Sequence, residues 1–469
     1  MLIETNVEVN LRSIEEFTRV MVSELLEDKV NFEILKENNL IKIKVKSEKL
    51  NKNTEFSYID LGNKIEDQIL TMCKISLLKL LDKKYDWGSL MGVRPTKVLR
   101  RLLINGCDYK EARKILKDFY LVTDEKINLM ETVVKKELEL LDKEHINLYI
   151  GIPFCPTKCK YCSFASYEIN GGVGRFYNDF VEALLKEIQI VGDFLKTYSK
   201  KVSSIYFGGG TPSILTEEDL ERVLKKLLEN IDMSDVKEFT FEAGREDSLN
   251  AQKLEIMKKY SVDRISLNPQ SFNLETLKRV NRRFNRENFD LIFQKAKNLD
   301  FIINMDLIIG LPEETTEEIL DTLSQLKDYD IDNLTIHCLA FKRASKLFKE
   351  SQERNAIDRA LIEKYIQKIV EEKSMKPYYM YRQKNIIEWG ENIGYSKEGK
   401  ESIFNIEMIE ENQNTMALGG GGISKIVIEE RNGIDYIERY VNPKDPALYI
   451  KELDKRCKEK IEMFKKEKI

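Results

Sequence analysis

Six short apolar runs through the middle of the chain, each followed by a longer amphipathic stretch, restrict the folds open to it. They are residues 147–153, Ser203–Phe207, Glu238–Glu242, Val262–Leu267, Ile302–Ile308 and Asn333–Leu339. Runs this short, flanked by turn formers, read as strands buried on both faces. Between them, Phe176–Leu195 repeats apolar residues at Phe180, Leu184, Ile188 and Val191, and Thr216–Leu228 opens on the helix-capping run Thr-Glu-Glu-Asp. Strand alternating with helix means right-handed crossovers and a parallel sheet. Six units are fewer than the eight of a closed barrel. The expected class is therefore α/β, an open partial (β/α)6 barrel over residues 141–340 with its site at the C-terminal ends of the strands.

The flanks differ in texture. In residues 1–140 the alternating segments Lys42–Lys46 and Phe56–Leu61 suggest a small antiparallel sheet, and Lys64–Leu81 and Lys97–Leu116 read as helices, giving an N-terminal α+β domain. Asp86–Lys97 is rich in turn formers and offers Arg94 and Lys97 to an anion; its plainer reading is a capped helix start with Pro95 in the first turn. Residues 341–469 are expected as a C-terminal α+β extension covering the open side of the barrel. They carry a charged helical stretch over Ile357–Lys373, the tyrosines of Tyr378–Tyr381, the run Gly419–Gly422 and a final solvated surface helix from Pro446.

At 469 residues the chain is long for one core, and 42% apolar residues support burial. With 76 Lys and Arg against 80 Asp and Glu, the net charge of −4 argues against a nucleic-acid surface. No window reaches membrane-span length and no secretory leader precedes the first domain, so the expectation is a cytoplasmic protein. Seven cysteines without regular pairing fit a reducing compartment.

Three of those cysteines carry the chemistry. Cys155, Cys159 and Cys162 stand in Gly151-Ile-Pro-Phe-Cys-Pro-Thr-Lys-Cys-Lys-Tyr-Cys-Ser-Phe164. A [4Fe-4S] cluster takes one thiolate per iron, so a compact set of three leaves one iron for an external ligand. A zinc loop needs a fourth nitrogen or sulfur ligand, and the chain has two histidines, His145 and His337, of which His145 is the nearer in sequence. The C-x3-C-x2-C spacing resembles that of the radical S-adenosylmethionine (SAM) enzymes, in which the open iron binds the amino and carboxylate groups of SAM.

Further motifs follow the strands. Gly208-Gly-Gly-Thr-Pro212 lets backbone approach a ligand after the second strand. Glu242 ends the third strand facing the barrel mouth, where a sulfonium, a ribose diol, or an ion pair with Arg245 or Arg264 would compensate its burial. Together with Tyr149–Cys155, Asp263–Phe272, Thr276–Arg283 and Asn304–Pro312, these motifs resemble the oxygen-independent coproporphyrinogen III oxidase family, which includes haem-chaperone-like members. Gly92-Val-Arg-Pro-Thr-Lys97, Glu242-Ala-Gly-Arg245, Tyr379-Met-Tyr-Arg-Gln-Lys384 and Glu391-Asn-Ile-Gly-Tyr395 are similar to the HemZ branch, coproporphyrinogen dehydrogenases.

The resemblance implies that Cys155, Cys159 and Cys162 bind a [4Fe-4S] cluster and that Tyr149, Gly209 and Glu242 contact its SAM, Tyr149 and Glu242 standing at the chemistry. It implies Tyr161, Gly210, Thr211, Gln270, Arg282, Asp306 and Ala340 around a second SAM in members that hold two. This chain departs from the established oxidase at Gly151, where that enzyme has a histidine, and at Phe164, where it has a fourth cysteine. The implied reaction is SAM cleavage by an electron from a flavodoxin- or ferredoxin-type donor. The resulting 5′-deoxyadenosyl radical takes hydrogen from two propionates of coproporphyrinogen III, which become vinyls. Arg245, Arg282, Arg343 and Arg382 are candidate partners for the tetrapyrrole carboxylates. Two alternatives remain at this level: a haem carrier using His337 or Cys338 as axial ligand, and a radical SAM enzyme with another substrate.

Overall fold

The structure, a computed structural model, describes residues 2–61, 65–164, 166–340, 345–347, 356–383, 391–429 and 435–466. It divides into two compact units, Met1–Lys135 and Lys136–Ile469.

In the first unit β1 (Leu2–Thr5), β2 (Lys29–Glu37), β3 (Leu40–Ser47) and β4 (Lys52–Ile59) form one sheet in that order, β1 parallel to β2 and the rest antiparallel. Period two decides the faces: Ile41, Ile43 and Val45 point inward while Lys42, Lys44 and Lys46 are outside or partly so. The inner face packs with α1 (Leu11–Met21) and α2 (Ile65–Leu80) around Phe17, Phe32, Met72 and Leu78. The helix expected over Lys97–Leu116 is two, α3 (Thr96–Ile104) and α4 (Tyr109–Lys114), because Gly106 turns at φ +95° and Asp108 starts a new helix through a capping box with Glu111. Pro95 opens α3 as the plainer reading of that turn expects, but from the cap position instead of the first turn, and no side chain caps the helix start. A further helix, α5 (Asp124–Leu140), leads on into the second unit.

All six expected strands are present, to within about two residues at each end: β5 (Ile146–Ile152), β8 (Val202–Gly209), β9 (Glu238–Gly244), β10 (Arg264–Leu267), β11 (Ile302–Ile309) and β12 (Asn333–Cys338). They are parallel neighbours in chain order. The small strands β6 (Phe154–Cys155) and β7 (Tyr167–Glu168) pair beside them. Helices α6 (Tyr177–Thr197), α7 (Glu217–Asn230), α8 (Ala251–Lys259), α9 (Leu274–Arg279), α10 (Arg286–Asn298) and α11 (Thr316–Gln325) lie between the strands. Phe207, Phe239, Phe241, Ile265 and Ile303 from the strands pack with Leu184, Leu224, Met257 and Phe293 from the helices. Thr216 accepts from the N–H of Asp219 to start α7, as its capping run predicts.

The residues expected as a cover beyond 341 instead enlarge this sheet to eleven strands. After α12 (Arg359–Glu372), β13 (Lys376–Tyr381) and β14 (Asn392–Ser396) add to the β12 edge, antiparallel. After α13 (Ile403–Glu410), β15 (Asn414–Gly419) pairs with β5 as a seventh parallel strand, and β16 (Ile423–Glu429) and β17 (Asp435–Val441) continue outward. Among the described residues the sheet does not close on itself, so the open barrel is the α/β architecture of this unit.

The last helix, α14 (Pro446–Lys465), is not merely solvated. Its Lys- and Glu-rich composition conceals one buried face of Tyr449, Leu453, Cys457, Lys460, Met463 and Phe464. Lys460 Nζ lies 2.6 Å from Glu187 Oε1 of α6, both side chains fully buried. Glu187 also accepts from Tyr449 Oη at 2.6 Å and from the N–H of Gly419 at 2.7 Å.

Candidate active site

The cysteine segment leaves the C-terminal end of β5 and is held at both sides. Tyr167 and Ile169 donate backbone hydrogen bonds to Pro153 and Cys155 at 2.8 and 2.9 Å, and the N–H of Cys162 turns back to the Cys159 carbonyl. Cys155 and Cys159 are buried and Cys162 is half-buried. The Thr211 hydroxyl donates to Cys155 Sγ at 3.3 Å, and the Arg245 guanidinium reaches Cys159 Sγ at 3.9 Å. Burial pushes the Cys155 and Cys162 thiols above their ordinary range, against hydrogen bonds from Thr211 to Cys155 and from the N–H of Phe164 to Cys162.

Among the described residues nothing completes a zinc site. His145 precedes β5, about 20 Å of extended chain from its other end, and its Nδ1 is engaged by Asp142 at 2.8 Å. Among the described residues no three His, Cys, Asp or Glu side chains converge as one metal ion needs. Three thiols around one cavity, with a hydroxyl and a guanidinium directed at sulfur, instead fit a cluster that spreads its ligands over several irons.

That cavity, about 340 Å³, is lined by all three cysteines and by Tyr161, Gly210, Thr211, Glu242, Gln270, Arg282, Asp306 and Ala340. Tyr149 and Gly209 adjoin this lining. The Tyr149 ring stacks on Tyr206, which does line it, and backs Gly208, where an added Cβ would sit 3.1 Å from the ring. At Gly209, with φ +107°, the chain turns so that Gly210 and Thr211 donate to the carbonyls of Ile152 and Phe154 at 2.8 Å. A Cβ on Gly210 would lie 2.5 Å from the Phe154 carbonyl oxygen, so the glycine is what lets β8 close against the cysteine loop.

Two carboxylates face this space under opposite conditions. Burial, with Asp306 nearby, pushes Glu242 up to about 8 against a single hydrogen bond from the N–H of Gly209. Neither expected ion pair forms. Arg245 is committed to Asp247 at 2.6 Å, and Arg264 lies 3.7 Å from Glu238 and donates to the carbonyls of Lys400 and Glu401. Asp306 is also buried, which alone would raise it, yet His337, Asn304 and Thr335 hold it below the ordinary carboxylate range. Asn268 Nδ2 and Asn304 Nδ2 donate to it at 2.9 Å, and His337 Nε2 lies at 3.8 Å. Two titratable groups driven apart in one cavity are the usual mark of a working site.

Several polar atoms here are buried without a partner, among them Gln270 Oε1, Asn304 Oδ1 and Arg282 Nε. Gln270 sits at φ +67°, bridging to Leu307 of β11, and Arg282 donates through one nitrogen, Nη2, to the carbonyls of both Gly244 and Asn268. Unmet donors and acceptors beside an unneutralised carboxylate fit a ligand that carries a cation, hydroxyls and a carboxylate, as SAM does.

Other wall residues escaped the sequence reading: Tyr206, Asn268, Asn304, Tyr379, Tyr381 and Asn405. The tyrosines had a signal in the run Tyr378-Tyr-Met-Tyr381, which enters the cavity only because β13 joins the β12 edge through β14. Of the candidate haem ligands, His337 Nδ1 meets Tyr381 Oη at 3.0 Å, and Cys338 is a buried thiol pushed up to about 12. Arg245 and Arg282 do line the cavity, whereas Arg382 does not. Arg343 and Lys384 lie outside the described residues.

Comparison with known proteins now bears on this geometry. The Radical SAM superfamily matches residues 149–326. The oxygen-independent coproporphyrinogen-III oxidase-like protein HemZ of Bacillus subtilis is 40% identical over 388 residues, which are 80% of this chain and 76% of that protein. The chain belongs to this radical SAM family. Its members imply a [4Fe-4S] cluster and SAM, for which the cysteine loop and the cavity provide the matching groups. A more distant relative is the heme chaperone HemW of Bacillus subtilis, 32% identical over 197 residues, 41% of this chain and 49% of that one. The fold is that of the coproporphyrinogen III oxidase HemN from Escherichia coli, with a TM-score of 0.53 at 20% identity over 69% of this chain and 73% of that one. No helix among the described residues is long and apolar enough to cross a membrane.

Proposed function

We propose that this protein is an oxygen-independent coproporphyrinogen III dehydrogenase, converting two propionates of the tetrapyrrole to vinyls and giving protoporphyrinogen IX. The observation that carries this reading is the extent of similarity to HemZ: 388 residues, more than twice the length of the segment 149–326 shared with the superfamily. Each propionate gives up one hydrogen atom, one electron and carbon dioxide. When bound, the cluster and SAM supply the reductive carbon–sulfur cleavage from which hydrogen abstraction starts.

The chain's own residues supply placement. Cys155, Cys159 and Cys162 would hold the cluster. Glu242, fixed by the N–H of Gly209, would meet the cationic or hydroxyl part of SAM, while Gly210 and Thr211 present backbone at the cysteine loop. Tyr149, whose ring lies against Gly208 at the same turn, would stand with Glu242 beside the SAM. Gln270, Asp306, Ala340 and Arg282, with Tyr161 beside them, line the space for a second SAM or a substrate carboxylate. An external flavodoxin- or ferredoxin-type donor would provide electrons.

The test is anaerobic reconstitution followed by dithionite, SAM and coproporphyrinogen III, with methionine, 5′-deoxyadenosine and vinyl porphyrins quantified. The expected products are protoporphyrinogen IX and 5′-deoxyadenosine. Deoxyadenosine without vinyl product sinks the substrate assignment and leaves the radical SAM class. Stoichiometric haem binding without turnover makes the protein a carrier.

A further inference from the structure

The rim of the cysteine loop has a charge bias of which only Lys158 and Arg282 reach the cavity. From Pro156 to Phe164 the chain contains Lys158 and Lys160 and no carboxylate, and Thr276–Arg286 contains one lysine and four arginines and no carboxylate. The chain as a whole has a net charge of −4, so the bias is local. The two stretches lie side by side: the N–H of Lys160 donates to the Val280 carbonyl at 2.9 Å, and Asn281 Nδ2 to that of Lys158 at 3.0 Å.

Part of this charge is committed inward. Arg282 is buried, Arg286 lies over Phe272 and Tyr329, and Arg279 pairs with Glu318 at 3.3 Å. Lys278 and Arg283 face solvent, the Lys278 side chain 79% exposed with a loose contact of 3.9 Å to Glu275. On the cysteine loop Phe164 is 63% exposed, two residues after Cys162, the least buried of the three cysteines. An exposed aromatic on one stretch and solvent-facing cations on the stretch hydrogen-bonded to it are the composition of a docking patch for an acidic partner.

We propose that this rim receives an acidic, one-electron carrier protein, which delivers its electron beside Cys162. The inference rests on the radical SAM reading, which requires a reductant. The carrier is oxidised by one electron, the cluster is reduced by one, and no bond forms or breaks. A polyanionic small substrate would also favour such a rim, and the experiment separates the two.

The variant is Lys278→Glu/Arg283→Glu, both residues exposed and neither lining the cavity. Deoxyadenosine formation by the reconstituted full chain is compared with dithionite and with reduced flavodoxin as electron source. Dithionite-driven rates stay equal in variant and parent. The flavodoxin-driven rate of the variant falls about tenfold at low salt, and added salt slows the parent toward it. Equal flavodoxin-driven rates overturn the proposal. So does a raised KM for coproporphyrinogen under dithionite, which assigns the rim to the substrate. If dithionite drives no cleavage in either protein, the radical SAM reading fails by itself. Calorimetric titration with flavodoxin then decides the surface: weaker binding by the variant supports it, and equal binding overturns it.

Discussion

At the β5 edge of the large sheet the chain returns as a parallel strand, turns through four consecutive glycines and locks onto a fully buried ion pair; at the β12 edge an antiparallel pair delivers tyrosines into the cavity. The first edge is built for immobility. Gly419 has φ +78°, its added Cβ would sit 2.1 Å from the Gly151 carbonyl oxygen, and one on Gly151 would sit 2.8 Å from that of Gly420. This explains the absence of a side chain at position 151: the glycine turn occupies the space a histidine would need. Through Glu187 the last helix therefore bears on the strand that enters the cysteine loop. The second edge is built for contact, with Tyr381 on His337 and Tyr379 on Thr335, both near Asp306. One sheet thus fixes the cluster side by packing and shapes the carboxylate side by hydrogen bonds.

Substitutions at the two edges should separate stability from chemistry. Lys460→Met leaves Glu187 charged and without its cation, at a cost of about 3–5 kcal/mol in chemical denaturation. The double change with Glu187→Gln should recover part of that loss. A double variant no more stable than Lys460→Met would remove the ion pair as the source.

Between the edges, Glu242 makes stability depend on pH. Its carboxyl is raised from 4.5 to about 8, so between those values the folded state binds the extra proton and stability of the ligand-free protein falls as pH rises. Glu242→Gln should flatten the fall in thermal midpoint between pH 5 and pH 9. An unchanged slope would show that the carboxyl is not desolvated.

Gly419→Ala tests the closed edge at its tightest point. A Cβ there meets backbone and the φ is left-handed, so the expected loss is about 1–3 kcal/mol with lower iron retention after reconstitution. Tyr381→Phe, at the open edge, should cost only about 1 kcal/mol while changing the KM for SAM or the tetrapyrrole. A large stability loss with an unchanged KM would merge the two edges into one structural role.

Much of the parallel core was legible, because a strand buried on both faces has no polar alternation to obscure it and its turn residues mark each end. The cysteines were legible as a local spacing. What the sequence hid depends on distant pairing. Asn414–Gly419 reads as an ordinary apolar run until it is seen beside Ile146–Gly151, 268 positions earlier in register. Lys460 is one lysine among many on a charged helix, and its burial follows only from Glu187 on α6. Tyr149 was named through the resemblance alone, and its stacking on Tyr206 of β8, a wall residue, follows only from the pairing of β5 with β8.

Cys155, Cys159 and Cys162, beyond the end of β5, would hold a [4Fe-4S] cluster beside the cavity that Glu242 also lines. Electron paramagnetic resonance of the anaerobically reconstituted, dithionite-reduced protein tests it directly, alongside iron and sulfide content. The account predicts about four irons per chain, one signal that shifts when SAM is added, and loss of that signal in Cys159→Ala. A signal indifferent to SAM, or a protein that retains zinc in place of iron, would contradict it.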